Sequence, residues 1–206
     1  MDEVRVAWSG GDVTGFFYGT GEPPLLLAHG AGNDQGHPRM VGLAEALAAQ
    51  GLQVMTFNYP YTEAGKRRPD RQETLLEVHR AARDLLAERA GGPVVLAGRS
   101  MGGRMGTYLA AAGEECLGLV LYAYPLHPAG KPEKLRVDHL PDIERPMLFF
   151  QGTSDALSRM ELFDRYVRPL PSATVEVMDG ASHSLDRRPA QTAFLAERTA
   201  TWTTSL

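Results

Sequence analysis

Val94-Val95-Leu96-Ala97-Gly98-Arg99-Ser100-Met101-Gly102-Gly103 is an apolar strand that runs without a spacer into a glycine-rich corner and then into a helix over Met101 to Ala112. A serine at a strand-to-helix corner takes a backbone conformation with positive φ, which lifts its hydroxyl clear of the sheet. Such a corner also brings neighbouring backbones together, so positions two residues to either side must be tiny. Gly98, Gly102 and Gly103 meet that demand.

Outward from this corner the same strand–breaker–helix couplet recurs. Upstream, Glu3 to Trp8 and Val13 to Tyr18 read as strands around the turn Ser9-Gly10-Gly11-Asp12, and Pro24 to Ala28 is an unbroken apolar run of the kind buried on both faces. Pro38 opens a helix with Val41, Ala44, Leu47 and Ala48 at helical spacing, and Gly51 closes it. Leu52 to Phe57 is a strand, followed by a helix from about Arg71 to Arg89, with Asp70 and Glu73 spaced for a capping box and Leu75, Val78, Ala82 and Leu85 as its apolar stripe. Pro93 to Ala97 is the strand that leads into the corner. Downstream lie strands at Leu117 to Tyr122, Met147 to Phe150 and Ala173 to Met178. Ser158 and Glu161 have capping-box spacing before a helix reaching Val167, and Pro189 to about Trp202 is the last helix. Eight strands alternating with helices predict an α/β domain over 1–206, its sheet mostly parallel through right-handed crossovers and covered on both faces. Only Tyr124 to Arg145 lacks a period, and its 22 residues exceed an ordinary connection, so the segment is functional or locally folded.

Composition narrows the function classes. With 206 residues the chain can bury roughly 70% of its unfolded surface and needs no disulfide or metal to fold. One cysteine, Cys116, cannot form an internal bridge or a multi-cysteine zinc site. A net charge of −4 gives no general footprint for nucleic acid. No apolar run approaches the roughly 18 residues that span a bilayer, and the start Met1-Asp2-Glu3 is the reverse of a positive secretory leader. These features predict a cytoplasmic protein with no membrane partner.

A corner serine needs a base, because an unassisted hydroxyl is a poor nucleophile at neutral pH. His183, in Gly180-Ala181-Ser182-His183-Ser184 beyond the last strand, is the candidate. A third group must hold the imidazole in the right tautomer and stabilise its cation. Asp155, in Gln151-Gly152-Thr153-Ser154-Asp155 past the strand ending at Phe150, suits this role, with Asp179 as the rival acid. Ser100, Asp155 and His183 each follow a strand, so all three fall on the rim of carboxyl ends where ligands of open α/β sheets bind. His29-Gly30-Ala31-Gly32 follows the strand Leu25 to Ala28, and its glycines let backbone N–H groups face a cavity. The amides of Ala31 and Met101 are then the candidate oxyanion donors, with His29 in a structural role.

Taken together, the Gly98–Gly102 elbow, the His29–Gly32 loop, Asp155 after Gly152-Thr153-Ser154, and His183 resemble the α/β-hydrolases, and more narrowly the small, cap-less, dienelactone-hydrolase-like members. Phe57-Asn58-Tyr59-Pro60-Tyr61 and the segment from Tyr124 to Pro132 extend the resemblance over about residues 4–200. It implies the α/β-hydrolase fold, an eight-stranded, mostly parallel sheet in the order 1-2-4-3-5-6-7-8 whose first strands are antiparallel, with no cap domain. Dienelactone hydrolase proper has a cysteine nucleophile where this elbow carries Ser100, so the likeness says little about substrate. The expected reaction is cleavage of a small carboxylic ester or thioester through an acyl-enzyme, with no cofactor and no metal. Gly32, Tyr59, Tyr124, Leu126 and His127 are candidate walls of the substrate site; His127 and His139 are also candidates for a substrate polar group. The basic runs Lys66-Arg67-Arg68 with Arg71, and Lys131, Lys134 and Arg136, read as solvated loops or as a site for a substrate carboxylate or phosphate. A catalytically silent interaction module, and a peptidase or acyltransferase on the same triad, are the rival readings.

Overall fold

The computed structural model describes residues 1–206. Its elements in chain order are β1 (Asp2–Trp8), β2 (Gly11–Tyr18), β3 (Pro24–Ala28), α1 (Pro38–Ala49), β4 (Gln53–Phe57), α2 (Pro60–Glu63), α3 (Gln72–Ala90), β5 (Val95–Arg99), α4 (Met101–Ala111), β6 (Gly118–Tyr122), a 3-10 turn (Leu140–Asp142), β7 (Met147–Gly152), α5 (Met160–Tyr166), β8 (Ala173–Met178) and α6 (Pro189–Thr203). All eight strands join one sheet in the order β1-β2-β4-β3-β5-β6-β7-β8. β1, β2 and β4 pair antiparallel, and from β4 through β3 to β8 the pairing is parallel. This is the expected α/β architecture and strand order.

The sheet separates two apolar layers. Alternate residues of β3, β5, β6 and β7 point to opposite faces, as the two-residue period of a strand requires. Leu26, Leu96, Leu121 and Phe149 pack with α3, α4 and α5, while Leu25, Leu27, Ala97 and Phe150 pack with α1 and α6. Strands covered on both sides carry apolar residues on both sides, which is why β3 and β6 read as unbroken apolar runs. No helix is long and apolar enough to cross a membrane. Cys116 is buried, and burial pushes its thiol up to about 11, so it stays protonated and inert at neutral pH.

Local differences from the sequence expectations have identifiable causes. β5 lies two residues later than expected and continues through Arg99, because β6 supplies partners up to Tyr122. The capping box at Asp70 does not form: Arg71 is the cap residue, and the Asp70 carboxylate instead accepts the Tyr61 amide at 2.9 Å. That amide belongs to the unforeseen helix α2. Ser158 does not cap α5, which starts one residue later behind Arg159. On α3 the innermost positions are Leu75, Val78, His79, Ala82 and Leu86, so Leu86 rather than Leu85 completes the stripe.

Candidate active site

Ser100 sits between β5 and α4 with φ 49° and ψ −111°, a sparsely populated conformation for a residue with a side chain. Holding it costs on the order of 1–3 kcal/mol, so the surroundings must fix it. The Ser100 amide donates to Tyr122 O at 2.9 Å, and the Arg104 amide donates to Ser100 O at 3.0 Å. Glycines let the corner close: a Cβ on Gly98 would lie 2.3 Å from the Gly103 nitrogen, and one on Gly102 would lie 2.4 Å from Ala28 O.

Three chain segments meet at this serine. His183 Nε2 is 2.8 Å from Ser100 Oγ, and His183 Nδ1 is 2.8 Å from Asp155 Oδ2. The Asp155 side chain is fully buried, and it also accepts the Leu157 amide at 2.8 Å and Gln151 Nε2 at 3.1 Å. An acceptor-only carboxylate beside Nδ1 puts the ring proton there and leaves the Nε2 lone pair facing the serine hydroxyl. Asp179 does not compete for the ring: it is exposed and accepts Thr153 Oγ1 at 3.1 Å.

The loops carrying acid and base are knitted to each other and to the elbow. Ser154 donates its amide to Ala181 O at 2.9 Å, and Gly152 is so close to the His183 loop that a Cβ would lie 2.2 Å from that same oxygen. From the other side, Arg99, the residue before Ser100, donates to Ser184 O at 3.3 Å and forms an ion pair with the fully buried Asp186 carboxylate. Arg99 therefore links the end of β5 to the segment just after His183.

Beside Ser100 the His29–Gly32 loop passes close enough that a Cβ on Gly30 would be 3.4 Å from Ser100 Cβ. The Ala31 amide has no acceptor within the protein. Met101, as the first residue of α4, has no carbonyl one turn back to donate to. Two free N–H groups, one at a helix N-terminus, are suited to a developing oxyanion. His29 is buried, donates from Nδ1 to Gly30 O at 2.9 Å and accepts the Tyr59 amide on Nε2 at 3.2 Å. Burial lowers its pKa to about 4, so it is a neutral strut for the loop.

Two clefts open from Ser100. The smaller, about 110 Å³, is lined by Asn33, His37, Arg39, Arg99, His183 and Ser184 among others. The larger, about 380 Å³, runs along α4 between Leu75, Met105, Pro125, Pro128, Arg104 and Arg136. Ala31 and Ser100 line both. The expected wall residues lie elsewhere. Tyr59 and Tyr124 are buried, with the Tyr59 hydroxyl against His79 Nδ1 at 3.0 Å and the Tyr124 hydroxyl donating to Arg136 O at 2.8 Å. Leu126 is core, and His127 is a buried strut that donates to Pro128 O at 2.9 Å and accepts the Arg159 amide at 3.2 Å. Gly32, with φ 76°, turns the loop and lines neither cleft. His139 contacts Thr107 Oγ1 at 2.9 Å, its ring tilted by 34° against Tyr108, and lines neither cleft. Lys66, Arg67, Arg68, Lys131 and Lys134 are exposed, whereas Arg136 turns inward. Arg104, one turn into α4 from Ser100, also lines the larger cleft, a side-chain direction that the sequence does not fix.

Comparison with known proteins matches the fold. Residues 21–204 match the model of the alpha/beta hydrolase domain family. Among solved structures, an alpha-beta serine hydrolase homologue from Coxiella burnetii is 21% identical, with 96% of each chain covered and a TM-score of 0.77. A dienelactone hydrolase from Anabaena variabilis is 23% identical, covering 99% of this chain and 97% of its own, with a TM-score of 0.78. A serine hydrolase without a lid from Xanthomonas campestris is 20% identical, covering 98% and 94%, with a TM-score of 0.76.

Proposed function

Because this chain belongs to the alpha/beta hydrolase family, we propose that it cleaves a small carboxylic ester or thioester through an acyl-enzyme on Ser100. The observation that carries the reading is the continuous path from Ser100 Oγ through His183 to the buried Asp155, with both links at 2.8 Å. His183 Nε2 takes the hydroxyl proton as Ser100 Oγ attacks the carbonyl carbon, and the amides of Ala31 and Met101 receive the oxyanion. Each such donor is worth roughly 3–4 kcal/mol of transition-state stabilisation. His183 then returns the proton to the leaving oxygen or sulfur, and the acyl group stays on Ser100. Water enters and loses a proton to the same nitrogen as it attacks the acyl carbon. The bond from that carbon to Ser100 Oγ then breaks, His183 returns the proton to Ser100 Oγ, and the acid leaves. Throughout, Asp155 holds Nδ1–H and stabilises the imidazolium.

The test combines a fluorophosphonate probe with p-nitrophenyl esters from acetate to octanoate, on wild type and Ser100→Ala. Labelling and turnover in wild type, both lost in Ser100→Ala, are the expected result. Labelling that persists in the variant, or a wild type that neither labels nor turns over, refutes the proposal.

A further inference from the structure

The larger cleft contains two guanidinium groups that no carboxylate neutralises. Arg104 lies one turn into α4 from Ser100, and both residues line this cleft. Its Nε is buried without a hydrogen-bond partner, and it takes part in none of the protein's ion pairs. Arg136 reaches the same space from the segment between β6 and β7, and its only side-chain hydrogen bond is a 3.5 Å contact to Pro125 O. Burial, and then the neighbouring Arg104 cation, pull its pKa below the usual arginine range. The one acid in the lining is Asp70, whose Oδ2 is already engaged by the Tyr61 amide. Nearby His139 is held neutral by burial and by the Arg104 charge, with a pKa of about 4, so it adds no third cation at neutral pH. Two like charges facing one half-buried space are unfavourable until an anion enters it.

Which part of a substrate enters is fixed by the proton path. His183 must protonate the leaving group, and His183 lines only the smaller cleft. The leaving group therefore lies there, and the acyl chain extends into the larger cleft, towards Arg104 and Arg136. We infer that this cleft is an acyl subsite for a chain ending in a carboxylate, so that the substrates are half-esters or half-thioesters of dicarboxylic acids. The net balance of the lining, two arginines against Asp70, matches a single negative charge better than a doubly charged phosphate. A volume near 380 Å³ sits at the small end of ligand cavities and suits a short chain.

The inference rests on the acyl-enzyme reading above, so the experiment separates the two. The full chain is assayed with p-nitrophenyl hemi-adipate against p-nitrophenyl hexanoate, and hemi-suberate against octanoate. A kcat/KM at least 10-fold higher for the half-ester of one pair is expected, with the ratio shrinking as salt rises, because a partly exposed charge pair is screened. Arg104→Gln and Arg136→Gln should each lower that ratio by about 10-fold, and Arg104→Lys should retain part of it. Adipate should slow fluorophosphonate labelling of Ser100 at concentrations where inorganic phosphate does not. Should a glutamine variant fail to fold, the wild-type ratio and its salt dependence still decide. Hydrolysis of neutral esters with no preference for either half-ester overturns the inference and leaves the function standing. Equal protection by phosphate overturns the carboxylate assignment. Absence of turnover and of labelling removes both.

Discussion

Gly102→Ala ties the packing of the corner directly to the chemistry proposed for it. The added Cβ would stand 2.4 Å from Ala28 O and 2.7 Å from both Ala28 C and His29 O. Ordinary contact begins near 3.4 Å, so about 1 Å must be found. The obstructing atoms are backbone at the buried end of β3, which cannot rotate away. The N-terminus of α4 has to retreat instead, carrying the Met101 amide and Ser100 with it. Overpacking of this size costs about 1–3 kcal/mol, offset in part by the roughly 1 kcal/mol that alanine gains over glycine in a helix. A displacement near 1 Å in a catalytic constellation lowers turnover by on the order of 100-fold. The variant should therefore fold, unfold at lower urea, and hydrolyse p-nitrophenyl esters about 100-fold more slowly, with fluorophosphonate labelling slowed alike. Gly106→Ala, one turn along the same helix, is the control: its Cβ would meet nothing closer than Leu96 Cβ at 3.5 Å. It should be neutral or more stable by up to about 1 kcal/mol. Turnover of Gly102→Ala within threefold of wild type, or equal damage from Gly106→Ala, would refute the reasoning.

Other perturbations test separate contacts. Asp155→Asn replaces an acceptor-only group by an amide that can face Nδ1 with a donor; kcat should fall by about 10^4-fold while Asp179→Asn stays near wild type, and the reverse ranking of the two would assign the acid wrongly. Arg99→Gln strands the buried Asp186 carboxylate and should cost about 3–5 kcal/mol in urea unfolding, whereas Arg99→Met with Asp186→Leu should recover most of it; a double variant as unstable as the single one contradicts this. Acid stability follows from His29 and His79, which burial lowers to about 4 and about 3. Below their unfolded value near 6.5 the unfolded chain takes up protons that the folded one refuses, so stability is complete above that pH and falls towards pH 4. Each group contributes a slope of up to about 1.4 kcal/mol per pH unit there. His139 adds in the same direction. Urea midpoints that stay flat or rise between pH 6.5 and 4.5 would contradict this.

The sheet was readable because β3, β5, β6 and β7 are too apolar to face water on either side, and most strands are followed by a breaker and a helical period. The positions of Ser100, Asp155 and His183 were readable for the same reason, since each lies within a few residues of a strand's carboxyl end. What the sequence hid were partners distant along the chain. Tyr59 and Tyr124 have the look of pocket walls, but the Tyr59 hydroxyl meets His79 and the Tyr124 hydroxyl meets the Arg136 carbonyl inside the fold. Asp70 has the spacing of a cap, but a nearer donor at Tyr61 claims it. Arg99 and Arg104 flank the same corner with opposite fates, the one paired with a buried acid and the other left unpaired. Only side-chain direction tells them apart.

Ser100 and Ala31 form the whole shared border between the two clefts; every other lining residue belongs to one side alone. The small side draws on the loop before α1 and the turn after β8, the large side on α3, α4 and the stretch following β6. Descendants of such a scaffold can thus revise what they accept at one end of the scissile bond while leaving the opposite end untouched. With acyl chain and leaving group assigned to the two clefts as proposed above, acid and alcohol preferences become separately heritable traits.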